Sequence, residues 1–403
     1  MPVNAPTLKD PLPVAGFILG TASCGVKKAE LAGTRDDILL IYATVPAQAA
    51  GVLTQNRVRA ACVNLAQASL ASHGHDLRAI VANSGNANAS TGDEGVKHAK
   101  EFILAAAHAL NLQPEQVLSA STGVIGTRFP IERVTQGVKK AAKHLGDEHW
   151  EEAAHAIKTT DIFAKWASRT VGPYTITGIT KGSGMIHPNM ATMLAFITTD
   201  APLDHSQLKT ILSRVVDRSF NSISVDGDTS TNDSLYLMAS GLGLGHAPMT
   251  DTEQFEAALL ELCIELAQLI VRDGEGVSKF VTIEVTGAKS EADARIVGRT
   301  IATSSLVKTA FAGSDANWGR ILAAIGNSGI AVHEDDISLA ADHVQILKNG
   351  QPHPEYTDAQ GMDIFANDEF KLTIDLGMGD ASATVWTGDL THDYITINAE
   401  YRT

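Results

Sequence analysis

Three short stretches concentrate the side chains that could do chemistry. Lys181-Gly182-Ser183-Gly184-Met185-Ile186-His187-Pro188-Asn189-Met190-Ala191-Thr192-Met193-Leu194 joins a glycine-rich turn to an apolar run, with a lysine eleven residues ahead of a threonine. Ser224-Val225-Asp226-Gly227-Asp228-Thr229-Ser230-Thr231-Asn232-Asp233 packs eight hydrogen-bonding side chains around one glycine. Ala82-Asn83-Ser84-Gly85-Asn86-Ala87-Asn88-Ala89 follows an apolar run and is rich in residues that tolerate a left-handed backbone. Each stretch alone also suits a structural turn. Asp226 and Asp228 hint at a calcium loop, but the EF-hand spacing and its final glutamate are absent.

Other chemistries lack their residues. The chain has no GxxxxGK[ST], HExxH or GxSxG, and its fourteen histidines are dispersed. Gly241-Leu242-Gly243-Leu244-Gly245 imitates a dinucleotide loop, yet no helix of a βαβ unit follows it, so it reads as a turn. Cys24, Cys62 and Cys263 are odd in number and widely spaced, which excludes a disulfide framework and fits a reducing cytosol. A net charge of −15, with 31 basic residues scattered among 46 acidic ones, argues against a nucleic-acid partner. No stretch reaches the roughly 20 apolar residues of a membrane span. The N-terminus lacks the basic start and apolar run of a signal peptide. The expected location is the cytoplasm.

The elements that must position these groups follow from hydrophobic period. Phe17–Leu19, Ile38–Tyr42 and Ala79–Ala82 read as buried strands, and Val96–Leu110, Ile131–Leu145 and Glu148–Lys158 as helices. Strands return at Thr175–Ile179, Met193–Thr198 and Ser222–Val225, with helices at Ser206–Val216 and Asp251–Val271. Phe280–Val285 alternates like a half-buried strand, a helix follows at Glu291–Ile301, and the last hundred residues read as short strands and turns. At 403 residues, more than one core is expected. We set the boundary near residue 280, giving units 1–280 and 281–403.

Lys181–Ile186 with Pro188–Leu194 resembles the self-cleavage and active-site motif of the ornithine acetyltransferase (glutamate N-acetyltransferase) family, within the wider group that includes DmpA-type aminopeptidases. Seven further segments resemble the same family in order: Thr54–Val58, Ala82–Asn88, Ser121–Gly126, Thr159–Asp161, Ser224–Asp233, Asp273–Gly276 and Asn398–Thr403. His187, where the family often has a small residue, and Ile162-Phe163-Ala164 depart from the pattern.

The resemblance implies an α+β fold, an αββα sandwich with a smaller C-terminal α/β domain, and an α2β2 assembly. It implies cleavage between Ala191 and Thr192, leaving chains 1–191 and 192–403. Thr192 would be the nucleophile, with its freed α-amine as the base, since such an amine titrates near about 8. Thr122 and Gly123 would hold the oxyanion. Thr160 (or Thr159), Lys181, Thr192, Glu275, Asn398 and Thr403 would bind the substrates, with Glu275 receiving the ornithine ammonium. Acetyl would pass from N2-acetylornithine to glutamate through an acetyl-threonine, in arginine biosynthesis. No metal or bound organic cofactor is required. Acetyl-CoA is an optional donor in bifunctional members, and the absence of a basic cluster in the sequence leans toward recycling only. The rival reading is a DmpA-like aminopeptidase or amidase, in which water resolves the acyl-enzyme.

Overall fold

The structure is a computed structural model that describes residues 2–187, 193–243 and 252–400. Strands and helices β1 (Phe17–Ala22), β2 (Ile38–Leu53), α1 (Ala61–His73), β3 (Leu77–Asn86), α2 (Gly92–Leu110), β4 (Val117–Val124), α3 (Ile131–Ala141) and α4 (Trp150–Ala156) form the first half of the sandwich. The second half holds β5 (Lys165–Val171), β6 (Tyr174–Lys181), β7 (Leu194–Thr199), α5 (His205–Asp217), the two-residue β8 (Ile223–Ser224), β9 (Ser234–Ala239) and α6 (Glu253–Arg272).

One eight-stranded sheet, ordered β4-β3-β2-β9-β7-β6-β5 with β1 also on β2, runs through both halves. The first part of β2 pairs with β1 and β3, and Gln48–Leu53 pairs with β9. The register shifts between Tyr42 and Ala47, around Pro46, which has no N–H to give a ladder. The sheet therefore folds over on itself. Leu39, Ile41, Ile80 and Leu118 of one half share a core with Leu194, Phe196, Tyr236 and Met238 of the other. The alternate residues face helices: Ile38, Leu40 and Val81 meet Phe102, Val134 and Val138 of α2 and α3. On the far side Ala195, Ile197 and Leu237 meet Leu212, Leu262 and Ile270 of α5 and α6. The layers are helix, strand, strand, helix, the expected sandwich. Burial on both faces is why these strands read as unbroken apolar runs.

The C-terminal residues contribute β10 (Phe280–Ala288), α7 (Glu291–Thr303), α8 (Ser305–Ala312), α9 (Trp318–Gly326), β11 (Ser338–Ala341), β12 (Val344–Lys348), β13 (Gln351–Pro352), α10 (Asp358–Phe365), β14 (Glu369–Asp375), β15 (Ala381–Gly388) and α11 (His392–Glu400). A seven-stranded sheet, β13-β12-β11-β14-β10-β15-β8, covers its own core between Val281 and Val385. β8 joins it by pairing in parallel with Trp386 and Thr387, so residues 223–224 tie the two sheets together. The reading of the last hundred residues as strands and turns needs correction, because α8, α9, α10 and α11 lie there. Each has only eight or nine residues, too few turns to show a clear 3.6 period.

Candidate active site

The ends of β3, β4 and β6 meet the turns after residues 158, 224 and 272 and the C-terminal helix around one cavity of about 220 Å³. Its first wall is the parallel pair β3 and β4, where Gly85 stands opposite Gly123. Thr122 and Gly123 line the cavity. Gly123 has φ +129°, and a Cβ there would lie 2.2 Å from the Gly85 carbonyl carbon, so only glycine allows this close approach. The Asn83–Asn88 stretch holds that wall in place. Asn83 Nδ2 donates to Asn86 O at 2.8 Å, Asn86 Oδ1 accepts from Asn88 N at 2.8 Å, and Asn88 takes φ +47°. Asn232 Nδ2 donates to Ala87 O at 2.6 Å and Ser121 O at 2.9 Å, pinning the second polar stretch to the first wall.

The opposite wall carries the cation. Lys181 closes β6, is 8% exposed, and brings Nζ to 3.5 Å from Thr122 Oγ1. Thr159 and Thr160 both reach the cavity, and the Thr160 hydroxyl bonds to Ser183 Oγ at 2.7 Å. Glu275 N donates to Ser183 O at 2.9 Å, which places the Glu275 carboxylate at the cavity. Gly184 makes room for it, since a Cβ there would sit 2.3 Å from Glu275 Oε2. Asn398 Nδ2 donates to Glu275 Oε2 at 3.1 Å and to Tyr394 O at 3.0 Å, so the C-terminal helix α11 caps this end. Gly276 lets α11 come close, because a Cβ on it would meet Tyr394 N at 2.3 Å.

Lys181 and Asp233 of this site are buried, while Glu275, Asp226 and Tyr394 are half-buried. Burial lowers the pKa of Lys181, and the carboxylates of Asp161, Glu275 and Asp233 oppose that. Burial raises Asp226, which accepts from Met185 N at 2.6 Å and Ile186 N at 2.8 Å and so holds the glycine-rich turn. Burial and the neighbouring Asp226 push the Tyr394 phenol above its ordinary range. The Lys181 ammonium thus reaches across to the Thr122 hydroxyl beside Gly123, while Glu275, Asp226, Asp228 and Asp233 supply carboxylates to the same cavity. That pattern suits a ligand with a carboxylate at one end and a cation at the other.

Of the expected site residues, Thr122, Gly123, Thr160, Lys181, Glu275 and Asn398 come together here from positions 276 residues apart in sequence. Ala191, Thr192 and Thr403 lie outside the described residues, while Met193, next to Thr192 in sequence, lines the cavity. Met185, Asp226, Asp228 and Asp233, which the sequence placed in polar stretches without a site role, also line it, and so does Tyr394, which the sequence did not single out. The polar density of Ser224–Asp233 was the signal for the three aspartates, and nothing in the sequence pointed to Tyr394. No group of three metal-ligating side chains occurs among the described residues.

Comparison with known proteins matches this arrangement to one family. A profile described as "ArgJ family" matches residues 19–403. The "Arginine biosynthesis bifunctional protein ArgJ" of Methylococcus capsulatus is 46% identical over 403 residues, covering 97% of this chain and 96% of that one. The protein of the same name from Geobacter sulfurreducens is 45% identical over 399 residues, covering 97% of this chain and all of the relative. A crystal structure of the Bacillus halodurans ArgJ protein is 42% identical with a TM-score of 0.50, and matches 52% of this chain with 100% of its own. With both the profile and the relatives matching nearly end to end, the chain belongs to the ArgJ family of bifunctional arginine-biosynthesis enzymes.

Proposed function

We propose that the protein cuts itself between Ala191 and Thr192 and then moves an acetyl group from N2-acetylornithine to glutamate. The carrying observation is the cavity itself, in which Lys181, Thr122, Gly123, Glu275 and Asn398 converge within reach of Met193. In the first step the Thr192 hydroxyl attacks the Ala191 carbonyl carbon, the C–N bond breaks, and water hydrolyses the resulting ester. The freed α-amine then accepts the hydroxyl proton when Thr192 attacks the acetyl carbonyl of the donor. It returns that proton to the departing ornithine nitrogen. Glutamate reverses the sequence and leaves as N-acetylglutamate. The Thr122 hydroxyl and Gly123 N–H stabilise the oxyanion in both halves, Lys181 takes the substrate α-carboxylate, and Thr160 and Thr403 complete that pocket. The matched chain of the Bacillus halodurans protein corresponds to 52% of this one, close to the 212 of 403 residues (53%) that follow the proposed cut, which supports cleavage.

Incubation with N2-acetylornithine alone is expected to add one acetyl mass to the fragment beginning at Thr192, and glutamate to remove it. Release of acetate in place of N-acetylglutamate would favour the amidase reading, and no labelling would overturn the mechanism. The acidic end of the cavity favours the transferase, since Glu275 and Asn398 fit a side-chain ammonium. Glu275→Gln is therefore expected to raise KM for N2-acetylornithine by about 10- to 150-fold, the equivalent of one charged hydrogen bond. KM for glutamate should change far less. Equal losses for both substrates would remove Glu275 from cation recognition.

The same reading includes acetyl-CoA as a second donor. The sequence-based lean toward recycling alone rested on the lack of a basic cluster, and Lys27, Lys28, Arg128 and Arg133 line one cleft of about 410 Å³ beside Val124. It also includes self-association as α2β2 in the cytoplasm. Helix α11 buries none of its residues, and its Ile397 lines one cleft with the exposed Ile162, apolar area that a second copy would cover. The free cysteines are all buried, which fits a reducing compartment. No helix among the described residues is long and apolar enough to cross a membrane.

A further inference from the structure

Behind the cation wall lies a group of charges that the proposed mechanism does not use. Lys165, at the start of β5, is completely buried, and so are the side chains of its two carboxylate partners. Its Nζ donates to Asp161 Oδ1 at 2.7 Å and Asp273 Oδ2 at 2.5 Å, with Phe163 O at 3.3 Å as a third acceptor. All three ammonium protons are therefore used. Each carboxylate is also bonded to backbone: Asp161 accepts from Gly182 N at 2.6 Å and Thr159 N at 3.0 Å, and Asp273 from Ile162 N at 3.1 Å.

These bonds join the three segments that carry the substrate-facing side chains. Asp161 follows Thr159 and Thr160 and fixes Gly182, the residue after Lys181. Asp273 lies two residues before Glu275. Taking three ions out of water costs several kcal/mol per ion, and apolar packing of equal volume commonly stabilises as well or better. Fold stability alone is thus a weak reason for burying them. The unit also carries one more negative than positive charge, next to the buried ammonium of Lys181.

We propose that Lys165, Asp161 and Asp273 form a buried positioning unit that holds Lys181 and Glu275 at the spacing and charge required to bind both ends of a diamino-acid substrate. Lys165 touches no substrate and acts through the two carboxylates. The inference rests on the assignment of Lys181 and Glu275 to the substrates. Burial, with the like charge of Asp161, raises Asp273 to about 6 against the pull of Lys165. Asp161 lies well below the usual carboxylate range, because Lys165 and Lys181 outweigh its burial. The two carboxylates are therefore unequal, with Asp161 the one that faces Lys181.

The test is steady-state kinetics of the mature two-chain enzyme with both substrates, comparing Lys165→Met, Lys165→Arg, Asp273→Asn and the double variant Lys165→Met/Asp273→Asn. Asp273→Asn keeps the shape and an acceptor for Ile162 N, so it tests the unit even if Lys165→Met yields no folded protein. Misplacement of positioned groups costs up to about 100-fold. Lys165→Met and Asp273→Asn are expected to raise KM for N2-acetylornithine roughly 10- to 100-fold, with kcat per folded active site changed less. Lys165→Arg should recover most of the loss, and the double variant should bind better than Lys165→Met alone, since it removes one of two uncompensated carboxylates. A fall in active enzyme with KM unchanged would show the unit to be merely structural and overturn the proposal. Lys181→Met and Glu275→Gln are the controls: if they leave KM unchanged, the site assignment fails. If they raise KM while the Asp273→Asn enzyme keeps its KM, only the positioning unit fails.

Discussion

Thr192→Ala is expected to leave the protein as one uncut chain of 42.5 kDa with acetyl transfer reduced at least about a thousandfold. Alanine has no hydroxyl to attack the Ala191 carbonyl, so no ester forms and the peptide bond persists. Without the cut there is no free α-amine, and nucleophile and base are lost in one substitution. Thr192→Ser keeps both groups and is expected to run as two bands, with residual transfer. N-terminal sequencing of the larger of the two wild-type fragments, the 212 residues after the cut, would check the junction, reading Thr192-Met193-Leu194. A full-length, active Thr192→Ala protein would remove Thr192 from the mechanism, and an active wild-type preparation with no cut chain would remove the amine as base.

Thr122→Val should lower kcat of the mature enzyme by about 100- to 1,000-fold, the loss measured when one oxyanion donor is removed. Valine retains the β-branched shape that suits strand β4, so the wall should keep its geometry while losing its hydroxyl. The hydroxyl stabilises charge that appears only in the tetrahedral intermediate, so KM should change little. The neighbouring Gly123 is a poorer probe. Any side chain there must adopt φ +129° and collide with Gly85, so a loss would report strain as much as catalysis. An unchanged kcat in Thr122→Val would leave stabilisation of the oxyanion to backbone N–H groups alone.

Much of this site was legible in the sequence because its chemistry sits in short contiguous motifs. Lys181 with its glycine-rich turn, the Thr122-Gly123 pair and the acidic Asp273–Gly276 turn could each be picked out along the chain. Long helices such as α2, which ends at the left-handed Asn111, were legible from period and punctuation. Strand β2 was seen only as far as Tyr42, because Pro46 and the small residues after it carry no strand signature. The fold of the sheet depends on that bend.

Residue types and their order along the chain were enough to place it in its family and, through that resemblance, to expect the general plan of the sandwich; Thr192 as nucleophile is a proposal that rests on the same motif. Only the tertiary structure decided how the cavity is closed. Asp226 reached the site by binding the backbone of the glycine-rich turn, and Tyr394 and Asn398 because α11 packs against Gly276. Lys165 became a partner of both Asp161 and Asp273, which are 112 residues apart in sequence. Local periodicity reports which face of an element is buried and says nothing about what it is buried against. A lysine at a strand start reads as a surface charge until folding encloses it between two carboxylates, where desolvation makes those partners necessary.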